Sequence, residues 1–277
     1  MAKPWRDSAP AQASPEPNIK SKARVRELAE VYTAEREVCA MLDLVPEFSL
    51  KQTFLEPACG NGNFLIEILR RKLQAHASTR HYFERGADGR LALFPKGGKA
   101  EEVVLLAIQA VSTIYGFDIC PNNIAETQAR LYAYVLYGED LLLPGFITGS
   151  DLHTQAYIEA VTPGRVLPLA DDYEACLFRF ADQMAKVRKT HERADTVSPL
   201  LRDTLKLVLA KNFQQGDFLA QQNSDGERLT VGKWTFLAGK VRCEDFLLAD
   251  VGTDKPKPVR VMPMRSLTEF VKGGGNV

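Results

Sequence analysis

The chain carries no surplus of either charge. Lysine plus arginine number 35 and aspartate plus glutamate number 35, for a formal net charge of zero at pH 7. Such a balance gives no whole-molecule attraction for nucleic acid and counts against a protein that holds DNA alone. Histidine is scarce: His76, His81, His153 and His191 are dispersed and show no metal-ligand spacing. The five cysteines (Cys39, Cys59, Cys120, Cys176 and Cys243) stand singly, with no CxxC pair. That pattern predicts reduced, mostly buried thiols in a cytoplasmic protein rather than a structural zinc site. No apolar run approaches the roughly 18 residues that a membrane span needs. The first twenty residues, rich in proline, alanine and serine, lack the apolar core of a signal peptide and predict a disordered tail. No Gly-Lys-Ser or Gly-Lys-Thr follows any glycine turn, which excludes a P-loop. No internal repeat is visible.

What is present suits a globular α/β protein. With 277 residues, 45% apolar and 25% charged, the chain can bury one large core or two small ones. Residues 20–45 have helical period, with Val31, Val38, Met41, Leu42 and Val45 in register and Thr33 placed to cap a second helix. A strand at 53–56 runs into "EPACGNGNFL" (56–65), and a helix starts near Gly62 with Phe64, Leu65, Ile68, Leu69 and Leu73 on one face. Glycines and Asp88 in residues 76–100 predict a surface insertion. Then come a helix at 101–115, a strand at 112–119, and a helix from Asn122 to about Leu136. Residues 138–195 form a second insertion with a charged helix at 171–190. A helix at 198–210 and a strand at 212–219 follow, and "GKWTFLAGKVRCEDFLLADV" supplies one or two more short strands. The alternation predicts a parallel sheet with crossovers inside a domain of residues 21–250, with 251–277 as a tail.

Three strand ends carry the chemistry. A strand–Gly-x-Gly–helix turn presents backbone N–H groups and a helix N-terminus to a ligand that comes close to the backbone. Any nucleotide-binding fold can use this, and a tight turn alone would look the same. The second strand ends in Asp118, where an acid can accept both hydroxyls of a ribose. The third ends in Gly216-Asp217-Phe218, an acid for an exocyclic amine and a ring to cover an apolar face. Together these suit adenosine bearing an amino-acid tail, as in S-adenosylmethionine (SAM).

"EPACGNGNFL", "YGFDICPNN" and "QQGDFL" resemble motifs I, II and III of the amino-methylating DNA methyltransferases of restriction–modification systems. The similarity spans roughly residues 28–250. "EVYTAEREVCAMLDLV" stands where such enzymes carry a Tyr-Thr-Pro motif; Tyr32 and Thr33 match, and Ala34 replaces the proline. That motif order resembles the adenine-N6 class. The resemblance implies a Rossmann-like SAM-dependent methyltransferase sheet, mostly parallel, with helices on both faces and truncated on the C-terminal side. It implies that Tyr32 and Thr33 close over SAM and that Glu56, Pro57, Ala58, Gly60, Asn61, Gly62 and Phe64 wrap its methionine part. Asp118 and Ile119 would hold the ribose and adenine, and Asp217 and Phe218 would complete the adenine pocket.

One part of the family pattern is absent. The chain contains no Asn-, Asp- or Ser-Pro-Pro-Tyr/Phe turn, the element that accepts hydrogen bonds from the target amine. Catalytic residues are therefore unassigned. Trp234, Phe236 and Asp245 occupy the region where that turn is expected, as core aromatics and a surface acid or as a base-stacking set. The basic residues of 70–99, among them Arg70, Arg71 and Lys72, read equally as a phosphate-contacting patch or a solvated helix end. The expectation is an adenine-N6 DNA methyltransferase-type modification subunit that acts on duplex DNA. A second methyltransferase, specificity or restriction subunit would complete it. Two rival readings are a SAM-binding scaffold without catalysis and a methyltransferase acting on a substrate other than DNA.

Overall fold

The structure, a computed structural model, describes residues 33–85, 91–93, 99–138 and 196–273, with positions 177–178, 181–182 and 185 between them. The chain is a mixed α/β protein. Its central sheet has three parallel strands, β1 (Phe54–Glu56), β4 (Ile114–Asp118) and β5 (Phe213–Gln215), in the order β1-β4-β5. Each parallel neighbour is reached by a crossover through helices. β1 leads into α2 (Asn63–Ala75), then the short hairpin β2 (Phe83–Arg85) and β3 (Leu91–Leu93), then α3 (Ala100–Val111) and β4. From β4 the chain enters α4 (Pro121–Tyr137) and returns through α5 (Pro199–Asn212) to β5. Helix α1 (Glu35–Leu42) precedes this unit and packs on α2.

The helices form because their apolar residues recur at spacings of three and four. In α2, Leu65, Leu69 and Leu73 are fully buried against α3 and α4, and truncating any one to alanine should cost ~2–5 kcal/mol. α4 differs from an amphipathic helix. Every residue from Asn123 to Tyr137 is buried, including Glu126, Gln128 and Arg130. One side of α4 meets the sheet, while Tyr132 lies edge-on to Phe178 (4.8 Å) and the Tyr137 hydroxyl donates to Asp182. Gly138 ends α4 in left-handed backbone (φ 76°), close enough to Leu93 that no Cβ would fit.

The C-terminal part departs from expectation. Residues 251–277, expected as a tail, contribute β8 (Arg260–Ser266) and α6 (Leu267–Gly273). In place of one or two short strands, β6 (Thr230–Leu237) and β7 (Lys240–Leu247) form a hairpin of two eight-residue strands and pair with β8 as an antiparallel sheet. Ala238 and Gly239 (φ 48° and 73°) make its two-residue turn, whose positive φ angles match the twist of the strands. This sheet is anchored to the amino ends of the parallel strands. Trp234 Nε1 donates to Asn212 Oδ1 at 2.8 Å, Tyr115 Oη donates to the Gly232 carbonyl at 2.6 Å, and Lys211 pairs with Asp245 at 2.7 Å. One smaller expectation also changes. Helix α1 is capped at Ala34 rather than Thr33, without a side-chain cap. The insertion at 138–195 and the tail at 1–20 lie outside the described residues, apart from Gly138 and the five positions at 177–185.

Candidate functional site

The glycine turn follows β1 directly. Gly60 and Gly62 have φ of 54° and 88°, a region glycine enters without steric cost. At Gly62 the neighbour that demands glycine is protein, not an outside molecule: an added Cβ would lie 2.9 Å from Thr127 Oγ1 on α4. Thr127 Oγ1 also donates to the Gly60 carbonyl at 3.1 Å. Arg130 Nη1 donates to the Asn61 carbonyl at 2.6 Å and to Asn63 Oδ1 at 2.8 Å. The carbonyls of the turn are thus held from behind by α4.

Three backbone donors bring the ends of the strands together. Cys59 N–H donates to the Phe117 carbonyl, Gly60 N–H to Asp118 Oδ2 and Gly216 N–H to the Asp118 carbonyl, each at 2.9 Å. Asp118 Oδ1 accepts from Cys120 N–H at 2.8 Å and Asn123 Nδ2 at 3.3 Å. A carboxylate has about four acceptor positions, so Asp118 braces the turn and keeps capacity on Oδ2. Asp217 is exposed; its Oδ1 accepts from Leu219 and Ala220 N–H at 2.8 and 3.0 Å, an Asx-type turn. Beside these acids lie Ile119, 55% exposed, and the half-buried Phe218, whose ring sits 5.9 Å from Phe117.

Two acceptors at the turn have little to hold. Burial pushes the Glu56 carboxyl above its usual range, and among the described residues it accepts one hydrogen bond, a long one at 3.4 Å from Ala58 N–H. Asn61 is only 4% exposed and its Oδ1 has no partner among the described residues. Opposite in character is the first turn of α2. Its first intrahelical bond runs from Ile66 N–H to Gly62 O, so the N–H groups of Asn63, Phe64 and Leu65 have no acceptor within the helix. The turn therefore combines acceptors that want a cation with donors that want an anion. Cys59, within the turn, is buried, and burial with Asp118 beside it pushes its thiol well up.

The structure places the expected residues as follows. Glu56, Pro57, Ala58, Gly60, Asn61, Gly62, Phe64, Asp118, Ile119, Asp217 and Phe218 lie on the turns and helix start at the carboxyl ends of the three parallel strands. Thr33 adjoins them through its carbonyl, which accepts from Asn63 Nδ2 at 2.9 Å. Tyr32 lies outside the described residues. Trp234, Phe236 and Asp245 are core and interface residues at the opposite, amino ends: Trp234 bonds Asn212, Phe236 stacks on Trp234 at 6.3 Å and Asp245 pairs with Lys211. The basic patch also dissolves in part. Arg70 and Arg71 share Glu67, Arg71 also pairs with Asp43, and Lys72 is fully buried against the Gln52 carbonyl and Thr113.

Sequence reasoning missed Asn63, Thr127 and Arg130. The signal lay in α4, where Asn123, Thr127 and Arg130 recur at four and three residues on one helix face just after Asp118. No family model, no curated protein and no solved structure matches the chain. Among the described residues no helix is long and apolar enough to cross a membrane.

Proposed function

We propose that the turn between β1 and α2 binds S-adenosylmethionine, in a sheet that is one half of a doubly wound, Rossmann-like fold. The observation that carries this reading is the direct bond from Gly60 N–H to the Asp118 carboxylate. It joins the glycine turn to the acid on the next strand, with Gly216 and Asp217 on the strand beyond. In chain order the strands lie third-second-first, as in half of a doubly wound sheet, where ligands sit outside the carboxyl ends.

The charge pattern selects the ligand class. Glu56, Asp118 and Asp217 all stand at these strand ends, which disfavours a pyrophosphate by like-charge repulsion. A zwitterionic amino-acid tail suits both faces of the turn. Its carboxylate would meet the orphan N–H groups of α2 and the helix dipole, and its ammonium would meet Glu56 and Asn61. Asp118 Oδ2 would accept a ribose hydroxyl, Ile119 and Phe218 would flank the adenine, and Asp217 would accept from its amine.

The activity proposed is that of an adenine-N6 DNA methyltransferase-type modification subunit acting on duplex DNA. With no Asn-Pro-Pro-Tyr turn in the chain, this chain would supply the cofactor half. A partner subunit would supply the groups that hold the flipped base and polarise its amine. β1 supports this division. It is the edge of the described sheet, its middle residue Leu55 is 38% exposed, and a doubly wound sheet continues from that strand. The missing turn equally favours a second reading, a SAM-binding scaffold without turnover. Titration calorimetry with SAM and with ATP tests the site: SAM should bind and ATP should not. Methyl transfer to duplex DNA with a co-purifying partner then separates subunit from scaffold, and site-specific methylation by the chain alone would refute the need for a partner.

A further inference from the structure

We infer that Asn63, oriented by Arg130, is a positioning residue that tethers Thr33, at the lead-in to α1, to the glycine turn and makes the start of α1 respond to the ligand. The inference rests on the proposed site, but its mechanical part stands on the bonds alone. Arg130 is 3% exposed, on a helix buried from Asn123 to Tyr137. A guanidinium only donates, so the Asn63 atom 2.8 Å from Arg130 Nη1 is the side-chain oxygen. That choice turns the Asn63 amide nitrogen to the Thr33 carbonyl, where it donates at 2.9 Å. The same guanidinium nitrogen holds the Asn61 carbonyl at 2.6 Å. One buried charge on α4 thus fixes both the shape of the turn and the direction in which Asn63 reaches.

Asn63 is also the first residue of α2, whose N–H has no acceptor within the helix. A ligand anion drawn to that N–H would contact the backbone of the very residue whose side chain holds Thr33. The Thr33 carbonyl lies just before Ala34, whose own carbonyl accepts from Glu37 and Val38 N–H at 3.0 Å and so starts α1. The relay runs from α4 through the turn to the first turn of α1. Binding at the turn would therefore tighten α1 at its start.

Asn63→Asp tests this selectively. The carboxylate keeps an acceptor for Arg130 and suits the first turn of a helix, but it removes the donor to Thr33 and sets two oxygens against each other. Hydrogen exchange of the Glu37 and Val38 amides is the readout, with the melting temperature as control. In the ligand-free protein, Asn63→Asp should speed exchange at those two amides about five- to tenfold and leave α2, α4 and the melting temperature unchanged. At concentrations that saturate each protein, S-adenosylhomocysteine should slow the same amides in the wild type and not in Asn63→Asp. Unchanged exchange in ligand-free Asn63→Asp would overturn the tether. Equal slowing in both proteins would overturn the coupling. No binding to the wild type would instead overturn the SAM site, leaving the ligand-free comparison to judge the tether by itself.

Discussion

Asp118 and Glu56 are both acids at strand ends, and the structure gives them different work. Asp118 accepts from three groups of its own chain and holds the turn in shape, whereas Glu56 accepts one long bond and is half-buried at a cost. If the turn binds SAM as proposed, Asp118→Ala should therefore lower both SAM affinity and the melting temperature. Glu56→Gln should lower affinity by ~1.5–3 kcal/mol, the range for a hydrogen bond to a charged group, with no loss of melting temperature. Calorimetry and thermal melts on the two variants check the contrast, and equal melting losses would place Glu56 among the braces. Lys72 makes a second prediction. Burial lowers its amine to about 7, below the ~10.4 of a free lysine. Between those values the unfolded chain binds more protons than the folded one, so this group makes stability rise with pH. Relative to Lys72→Met, the wild type should gain stability from about pH 7 to about pH 10 and show a constant difference below that window. Denaturant titrations across pH measure it.

At the level of elements, α5 is the hinge between the two sheets. Its last residue, Asn212, is fully buried, donates to the Val111 and Ile114 carbonyls at 3.2 and 3.0 Å and accepts from Trp234 at 2.8 Å. Asn212→Ala should strand these groups and cost ~2–4 kcal/mol, since each buried unpaired polar group costs about 1–3 kcal/mol; urea melts should show it as a lower midpoint. The elements around the parallel sheet were legible because each carries a local signal. α2 has an uninterrupted apolar stripe, α4 and α5 begin with proline at the first helical turn, and each parallel strand ends on an acid or just before a glycine. β6 and β7 were legible only as fragments. Their turn is Ala-Gly rather than Asn-Gly, and the buried face of β7 carries the acid Asp245 beside Cys243, which blurs the inward alternation. The clasp from α4 was hidden for another reason. Thr127 and Arg130 act on carbonyls about 70 residues away, and no local pattern reports a bond of that reach.

The whole molecule joins a parallel sheet and an antiparallel sheet through shared polar contacts and one aromatic group. Phe270 of α6 is 2% exposed and lies edge-on to Trp234 at 5.8 Å. A chain ending at residue 259 would lack β8 and α6. In a Trp5→Phe background its Trp234 emission should shift to the red and its unfolding midpoint fall; unchanged emission would show that the antiparallel sheet holds without its last strand. The bracing of the turn has a further consequence for reading diverged copies of this chain. Asp118, Thr127 and Arg130 keep the backbone in place whether or not a ligand binds, so a lineage with no ligand at the turn would retain them. Among the described residues the Glu56 carboxylate accepts one long bond and Asn61 Oδ1 none, so with no ligand at the turn these two would be the first letters of the site to drift.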